Sequence, residues 1–224
     1  MIARLLAEAL GTFFLFATVM GAGVMADNLA GGNVAVALIG TTLPIGAILY
    51  VIIVMLGPVS GAHFNPVVTL VFRLRGEIEN GAALAYVITQ VASGILAAFA
   101  VHLMFDLPIL QVADTPRTGI GQWAGEVVAT FGLILTILAT LRARPDAVPI
   151  SVALYIFAAC WFTSSTSFAN PAITIARSFT DTFTGIAPAD IPAFVIAQIA
   201  GALLAMGVAA VLFAGGGESA GEAA

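Results

Sequence analysis

The chain is 224 residues long, 61% hydrophobic and only 8% charged, where soluble domains are about a quarter charged. So few charges cannot coat a water-facing globule, and the hydrophobicity excludes a disordered chain. A net charge of −5, with seven Arg, no Lys and no basic cluster, excludes nucleic acid as a partner.

A transmembrane helix needs about 20 apolar residues. The first run, Ile2 to Met25, is too long for a signal-peptide core and lacks a cleavage-like end, so it reads as a retained helix that carries Glu8. Further runs at 34–56, 82–105, 119–141, 148–167 and 190–214 bring the count to six spans, an all-α membrane protein. Gly94, Gly201 and Gly207 are assigned to close helix packing. The single Cys160 allows no internal disulfide and reads as a packing residue. His102, at the end of span three, has no partner motif and reads as structural. The small, acidic segment 215–224 is expected to be a disordered tail.

Two interruptions are too short and too polar to span. Gly57 to Leu70 and Thr163 to Arg177 each open with small or turn-forming residues, then carry Asn-Pro and an apolar stretch. Asn is a favoured N-cap and Pro suits the first helical turn. Each segment is therefore read as a half-helix, starting at Asn65-Pro66-Val67 or at Asn170-Pro171-Ala172.

Arg4, Arg73, Arg75, Arg142 and Arg144 fall on one side of a six-span chain, whereas only Arg117 and Arg177 fall on the other. The positive-inside rule makes the five-Arg side cytoplasmic, with both termini inside.

The halves repeat. Glu8-x-x-x-Thr12-Phe13 is matched by Glu126-x-x-x-Thr130-Phe131, Asn65-Pro66 by Asn170-Pro171, and Tyr86-Val-Ile-Thr-Gln90 by Phe194-Val-Ile-Ala-Gln198. The repeats run over about 1–112 and 117–214 of one channel domain. Three spans per half is odd, so the second half enters the membrane inverted, a device of transport proteins. Irregular backbone at membrane depth is tolerated only inside protein or beside a water-filled cavity. The half-helices then present N-termini, each worth about half a positive charge, to a common centre. Together with the amides of Asn65 and Asn170 they repel cations and donate to the oxygens of neutral solutes. The pattern points to a pore for uncharged hydroxylated molecules.

In order and spacing, the motif Ser60-Gly-Ala-His-Phe-Asn-Pro66, the second Asn-Pro-Ala and both Glu-x-x-x-Thr-Phe signatures resemble the aquaporins of the major intrinsic protein family. The resemblance implies six helices plus two half-helices, a pore in every subunit and a homotetramer in the bilayer, with no cofactor and no metal. Val67 stands where that family usually has Ala, a mild change at a packing position. Ile173 stands where it usually places an Arg in the narrow outer filter. Alignment by motif gives the filter as Ile45, Ala158, Ser167 and Ile173. With no aromatic, His or Arg, that set implies a wide opening.

The stretch Phe168 to Gly185 is similar to a bacterial branch of aquaglyceroporins associated with arsenic resistance, which lacks the filter Arg. The resemblance implies arsenous acid and methylarsenite as cargo, with glycerol and water also passing, in a bacterial inner membrane. A general glycerol and water facilitator is the alternative. An ion-coupled secondary transporter, also compatible with inverted repeats, would need a coupling-ion site that no unpaired acid supplies. An enzyme is not expected, because the chain has no metal cluster, nucleophile triad or phosphate loop motif.

Intramembrane Glu8 and Glu126 are functional suspects by default. They could relay protons, but their symmetry and the family resemblance favour bracing of the half-helices. His63 either lines the pore or packs. Arg177 lies one helical turn beyond Ile173. Its four-residue spacing to Asp181 favours an ion pair or a solvated side chain, with the pore mouth as the alternative.

Overall fold

The computed structural model describes residues 1–214, and the expected tail at 215–224 lies outside them. Six helical segments of 18 to 28 residues are long and apolar enough to cross a membrane. They comprise α1 (Ile2–Leu29), α2 (Val34–Ser60), α4 (Asn80–Met104), α5 (Ile120–Ala143), α6 (Val148–Phe162, extended by a 3₁₀ turn at Pro145–Ala147) and α8 (Ile191–Leu212, preceded by one at Pro188–Asp190). Two short helices, α3 (Pro66–Leu74) and α7 (Pro171–Ala176), lie between them. The all-α membrane fold is as expected.

The helices are oily on the outside and polar within. On α1, Glu8, Thr12, Phe16 and Met20 are fully buried at four-residue steps, whereas Leu6, Leu10 and Phe14 are exposed. That places the carboxylate on the inward stripe and the large apolar side chains on the face that meets lipid. The same inversion recurs on the other spans, with Ile88, Leu96, Leu154, Ile196 and Leu204 exposed while Gln90, Thr130 and Gln198 have no exposure.

Helix α1 packs on α2 and α4, and α5 packs on α8 and α6, while α2 against α6 joins the halves. The half-helices α3 and α7 each contact α4 and α8 and meet one another end to end. Alternating crossings bring Met1 and the ends of α5 and α8 to one face, here the terminal face. The segments 105–119 and 177–190 lie on the opposite, loop face. They are stitched together there by Ala113 N–H to Ser178 O (2.9 Å) and Ala187 N–H to Thr115 O (2.8 Å).

Local sequence explains the element ends. Asn33 caps α2 by accepting from the backbone of Ala35 and Val36, and Gly61, at φ 88°, closes it in the left-handed conformation that glycine adopts without strain. The fifth span, expected to run to 167, ends at Phe162, where Thr163 turns extended. Thr166, Ser167 and Ala169 then adopt positive φ and carry the chain back into the bundle. The α6 helix itself has 15 residues, about 22 Å at the α-helical rise, so the re-entrant stretch completes the membrane depth.

The glycine assignments divide. A Cβ on Gly94 would meet the Phe16 ring, and one on Gly201 would meet the Val127 carbonyl oxygen and the Phe131 nitrogen, so both serve close approach. Gly207 does not. It is exposed on α8 with nothing within 4 Å of a built Cβ, because it points away from α5. Gly201→Ala is therefore expected to destabilise the α5–α8 contact by about 1–3 kcal/mol, seen as a lower melting temperature in detergent, while Gly207→Ala leaves the melt within error of wild type.

Candidate functional site

The two Asn-Pro turns are built alike and tied to each other. Asn65 Oδ1 accepts from Val67 N–H (3.0 Å), and Asn170 Oδ1 accepts from Ala172 N–H (3.0 Å) and Ile173 N–H (3.3 Å). These are N-caps, with Pro66 and Pro171 in the first turn. The amide nitrogens cross over. Asn65 Nδ2 donates to Ala169 O (2.8 Å), and Asn170 Nδ2 donates to Phe64 O (2.9 Å). An amide has two N–H donors, so one on each Asn is left over. Val67 and Ala172 are fully buried beside this crossing, as packing positions should be.

The carboxylates hold the backbone that delivers those turns. Glu8 accepts from Ser60 Oγ (2.7 Å), His63 N–H (3.0 Å), Phe64 N–H (2.8 Å) and Gln90 Nε2 (2.8 Å). Glu126 accepts from Phe168 N–H (2.8 Å), Ala169 N–H (2.9 Å) and Gln198 Nε2 (2.6 Å). The braced residues need it. Ala62, Phe64, Ser167 and Ala169 all sit at φ between 47° and 53°, a left-handed conformation that costs a non-glycine residue about 1–2 kcal/mol. Each glutamine also donates to a threonine one turn inside its half-helix, Gln90 to Thr69 and Gln198 to Thr174. Both carboxylates are thus occupied by fixed donors, a bracing geometry.

A cavity of about 850 Å³ lies inside the bundle beside the two Asn-Pro turns. Arg4, Glu77 and Asp146 line it at the terminal face, Asn65 and Asn170 in the middle, and Ser167, Ile173 and Arg177 towards the loop face. Between the terminal-face carboxylates and the two asparagines its wall is mostly aliphatic, with Ile53, Ile137, Leu141 and Val152 among the contributors. His63 lines the terminal half, its ring stacked 4.8 Å from Phe72 and its Nδ1 3.1 Å from Thr69 Oγ1.

Of the four filter positions expected from motif counting, Ile45, Ser167 and Ile173 border the cavity. Ala158 does not. It is exposed on the outer side of α6, while Ile156 and Cys160 face inward. Two residues either way is about 200° around a helix, and counting back through the irregular stretch 163–169 lands on the wrong face. Cys160, read as plain packing, borders the cavity.

Arg177 also departs from the favoured reading. It is 6% exposed, so it is not solvated. Among the described residues it forms no ion pair with Asp181, whose carboxylate accepts from Asp114 N–H (3.3 Å). Its Nε donates to Thr184 O, and its guanidinium carbon lies 3.4 Å from the centre of the Phe168 ring. Arg117 approaches the same ring at 4.8 Å and donates to Gly185 O (2.8 Å). Burial lowers the Arg117 pKa to about 10 against the raising influence of Glu126 and Asp190, so the group remains cationic at neutral pH. His102 is buried between Ile109 O (2.8 Å) and Thr180 Oγ1 (2.9 Å), where it pins the loops over this end. Apart from the basic character of Arg117, no sequence signal marks these loop-face partners.

Residues 1–167 match the family described as major intrinsic protein. The chain is 55% identical to the aquaglyceroporin AqpS of Rhizobium meliloti over 203 residues, which is 91% of this chain and 87% of that protein. It is 28% identical to aquaporin Z of Photorhabdus laumondii over 170 residues, 69% of this chain and 73% of the relative. Among solved structures, the aquaglyceroporin of Plasmodium falciparum superposes with a TM-score of 0.71 at 17% identity, covering 94% of this chain and 96% of its own, a likeness of fold.

Replacing Glu126 by Leu would leave two peptide N–H groups without acceptors, at about 1–3 kcal/mol each, and take from the Gln198 amide one of its two bonds. Glu126→Leu is expected to lower the melting temperature more than Gln198→Leu, which removes only one of those bonds, as measured by thermal unfolding in detergent.

Proposed function

Because the chain belongs to the major intrinsic protein family, we propose that it is a passive channel for small neutral solutes whose wide, aliphatic loop-side passage admits arsenous acid and methylarsenite alongside glycerol and water. The observation that carries this reading is Ile173, buried on the cavity wall one turn from Asn170, where a bulky cationic side chain would otherwise narrow the route. Ile45, Ser167 and Cys160 complete the aliphatic and small lining on that side.

Selection by such a pore follows from the residues present. A solute that loses water in the aliphatic stretch regains hydrogen bonds at the spare amide donors of Asn65 and Asn170. A neutral polyol or arsenous acid accepts them through its hydroxyl oxygens. A cation meets donors and the positive ends of α3 and α7 instead, which oppose its passage. Glu8 and Glu126, the carboxylates at membrane depth, are each committed to fixed donors, which speaks against their use as a coupling-ion site. The likeness to AqpS, itself described as an aquaglyceroporin, supports the glycerol-sized limit.

The protein is integral to the membrane. A bacterial inner membrane, cytoplasmic termini and a homotetramer with a pore in each subunit complete the proposal. The orientation rests on the five Arg residues gathered on the terminal face.

Stopped-flow swelling and shrinking of proteoliposomes under water, glycerol and arsenous acid gradients tests the reading. Wild type is expected to pass all three without saturation. Ile173→Arg is expected to cut glycerol and arsenous acid flux at least about tenfold, or about 1.4 kcal/mol of barrier, with a smaller loss of water flux. Arsenous acid flux no faster than in empty liposomes would reject the arsenical cargo.

A further inference from the structure

We propose that Arg177 is the selectivity cation of this pore, displaced one helical turn outward from position 173, and that Arg117 is a positioning residue which holds it there. The inference rests on the pore reading above. Three observations carry it.

The first is place. The cavity lining ends towards the loop face with Phe168, Ile173 and Arg177, and no residue of 105–119 or 178–190 contributes to it. A solute moving through the cavity therefore reaches the Arg177 guanidinium last on this side.

The second is fixation. Arg177 does not sweep freely. Its Nε is held by Thr184 O and its plane by Phe168, whose own N–H is held by Glu126 (2.8 Å) and whose ring abuts Phe194 at 5.1 Å. Arg117 is held by the next carbonyl along, Gly185 O, while its peptide N–H donates to Asp190 (2.7 Å). Gly185 itself has no room for a Cβ, which would lie 2.7 Å from Thr180 O. The carbonyls of Thr184 and Gly185 thus act as a paired clamp for two guanidiniums on one aromatic ring. An arginine that is only structural could have been satisfied by a carboxylate, and here the acceptors are neutral.

The third is charge. Among the described residues no carboxylate lies within ion-pair distance of either guanidinium. Asp190 spends its oxygens on Arg117 N–H and on Thr118 Oγ1 (2.6 Å). Two positive charges beside one end of a low-dielectric passage, without direct neutralisation, raise the barrier to cations far more than they would in water. The planar guanidinium with its remaining N–H groups also offers donors to a hydroxylated solute without a charge mismatch. Moving the cation out by one turn keeps the field that rejects ions while leaving the wall at Ile173 aliphatic. Ion exclusion and a wide passage, which conflict when both sit at one position, are separated in space.

The test uses the full chain in proteoliposomes, reading sodium and proton leak by fluorescent indicators and water and glycerol flux by light scattering on the same preparation. Arg177→Ala is expected to raise cation leak at least about tenfold, and Arg177→Gln, of similar size but neutral, to do likewise. Arg177→Lys is expected to keep most of the exclusion, and Arg117→Gln to leak to an intermediate degree. The decisive arm restores the charge elsewhere: adding Ile173→Arg to Arg177→Ala is expected to return cation leak to near the wild-type value while lowering glycerol flux. A purely structural arginine would not be rescued in that way. Cation leak unchanged in both folded neutral variants overturns the proposal, as does a double variant as leaky as Arg177→Ala. Absence of arsenous acid flux in wild type would count against the cargo proposed above and leave this result untouched.

Discussion

The reciprocal hydrogen bonds between Asn65 Nδ2 and Ala169 O, and between Asn170 Nδ2 and Phe64 O, are the constraint on which the rest depends. Each asparagine caps its own short helix with its oxygen and grips the other segment with its nitrogen. Neither α3 nor α7 is long enough to be stable alone, since isolated helices shorter than about a dozen residues are marginal even in water. Each is held by the other and by the carboxylate behind it. The backbone conformations that this demands are unfavourable at four alanine, serine and phenylalanine positions, and the fixed acceptors of Glu8 and Glu126 offset that cost. Strain, bracing and the lining of the central cavity are therefore one structure seen from three sides.

The internal repeat was legible because each half needs the same parts. A glutamate to receive peptide N–H groups, an Asn-Pro turn and a glutamine to complete the brace recur in order, and the structure joins them into two matching networks. The starts of both half-helices could be read to the residue, since an Asn N-cap followed by Pro has little other use at membrane depth. The paired identities at Thr69 and Thr174, each receiving a glutamine amide, extend the match further.

What could not be read was whatever depends on rotation about a helix axis or on contacts between distant loops. Ala158 and its neighbours differ little in sequence character, and the face of α6 that turns inward is settled by how the stretch 163–169 coils back. Arg177 posed the same difficulty. Spacing along its own helix offers Asp181 as a partner, but the groups that hold it are a ring nine residues earlier and a carbonyl seven residues later, with Arg117 of the preceding loop approaching the same ring. His102 likewise gains its role only when Thr180 arrives 78 residues downstream.

The crossing bonds at the centre span 104 and 106 residues of chain, which carries a consequence for biogenesis. When the first three spans have left the ribosome, the Asn65 amide still lacks its partner carbonyl, and the Phe64 carbonyl lacks its donor. Neither can be satisfied until residues 169 and 170 have been synthesised and inserted. The first re-entrant loop must therefore wait, shallow and wet or sheltered by the insertion machinery, while the second half is threaded in. The cavity wall at Asn65 and Asn170 is thus completed as one of the last acts of maturation, after the spans of the first half are already in the bilayer.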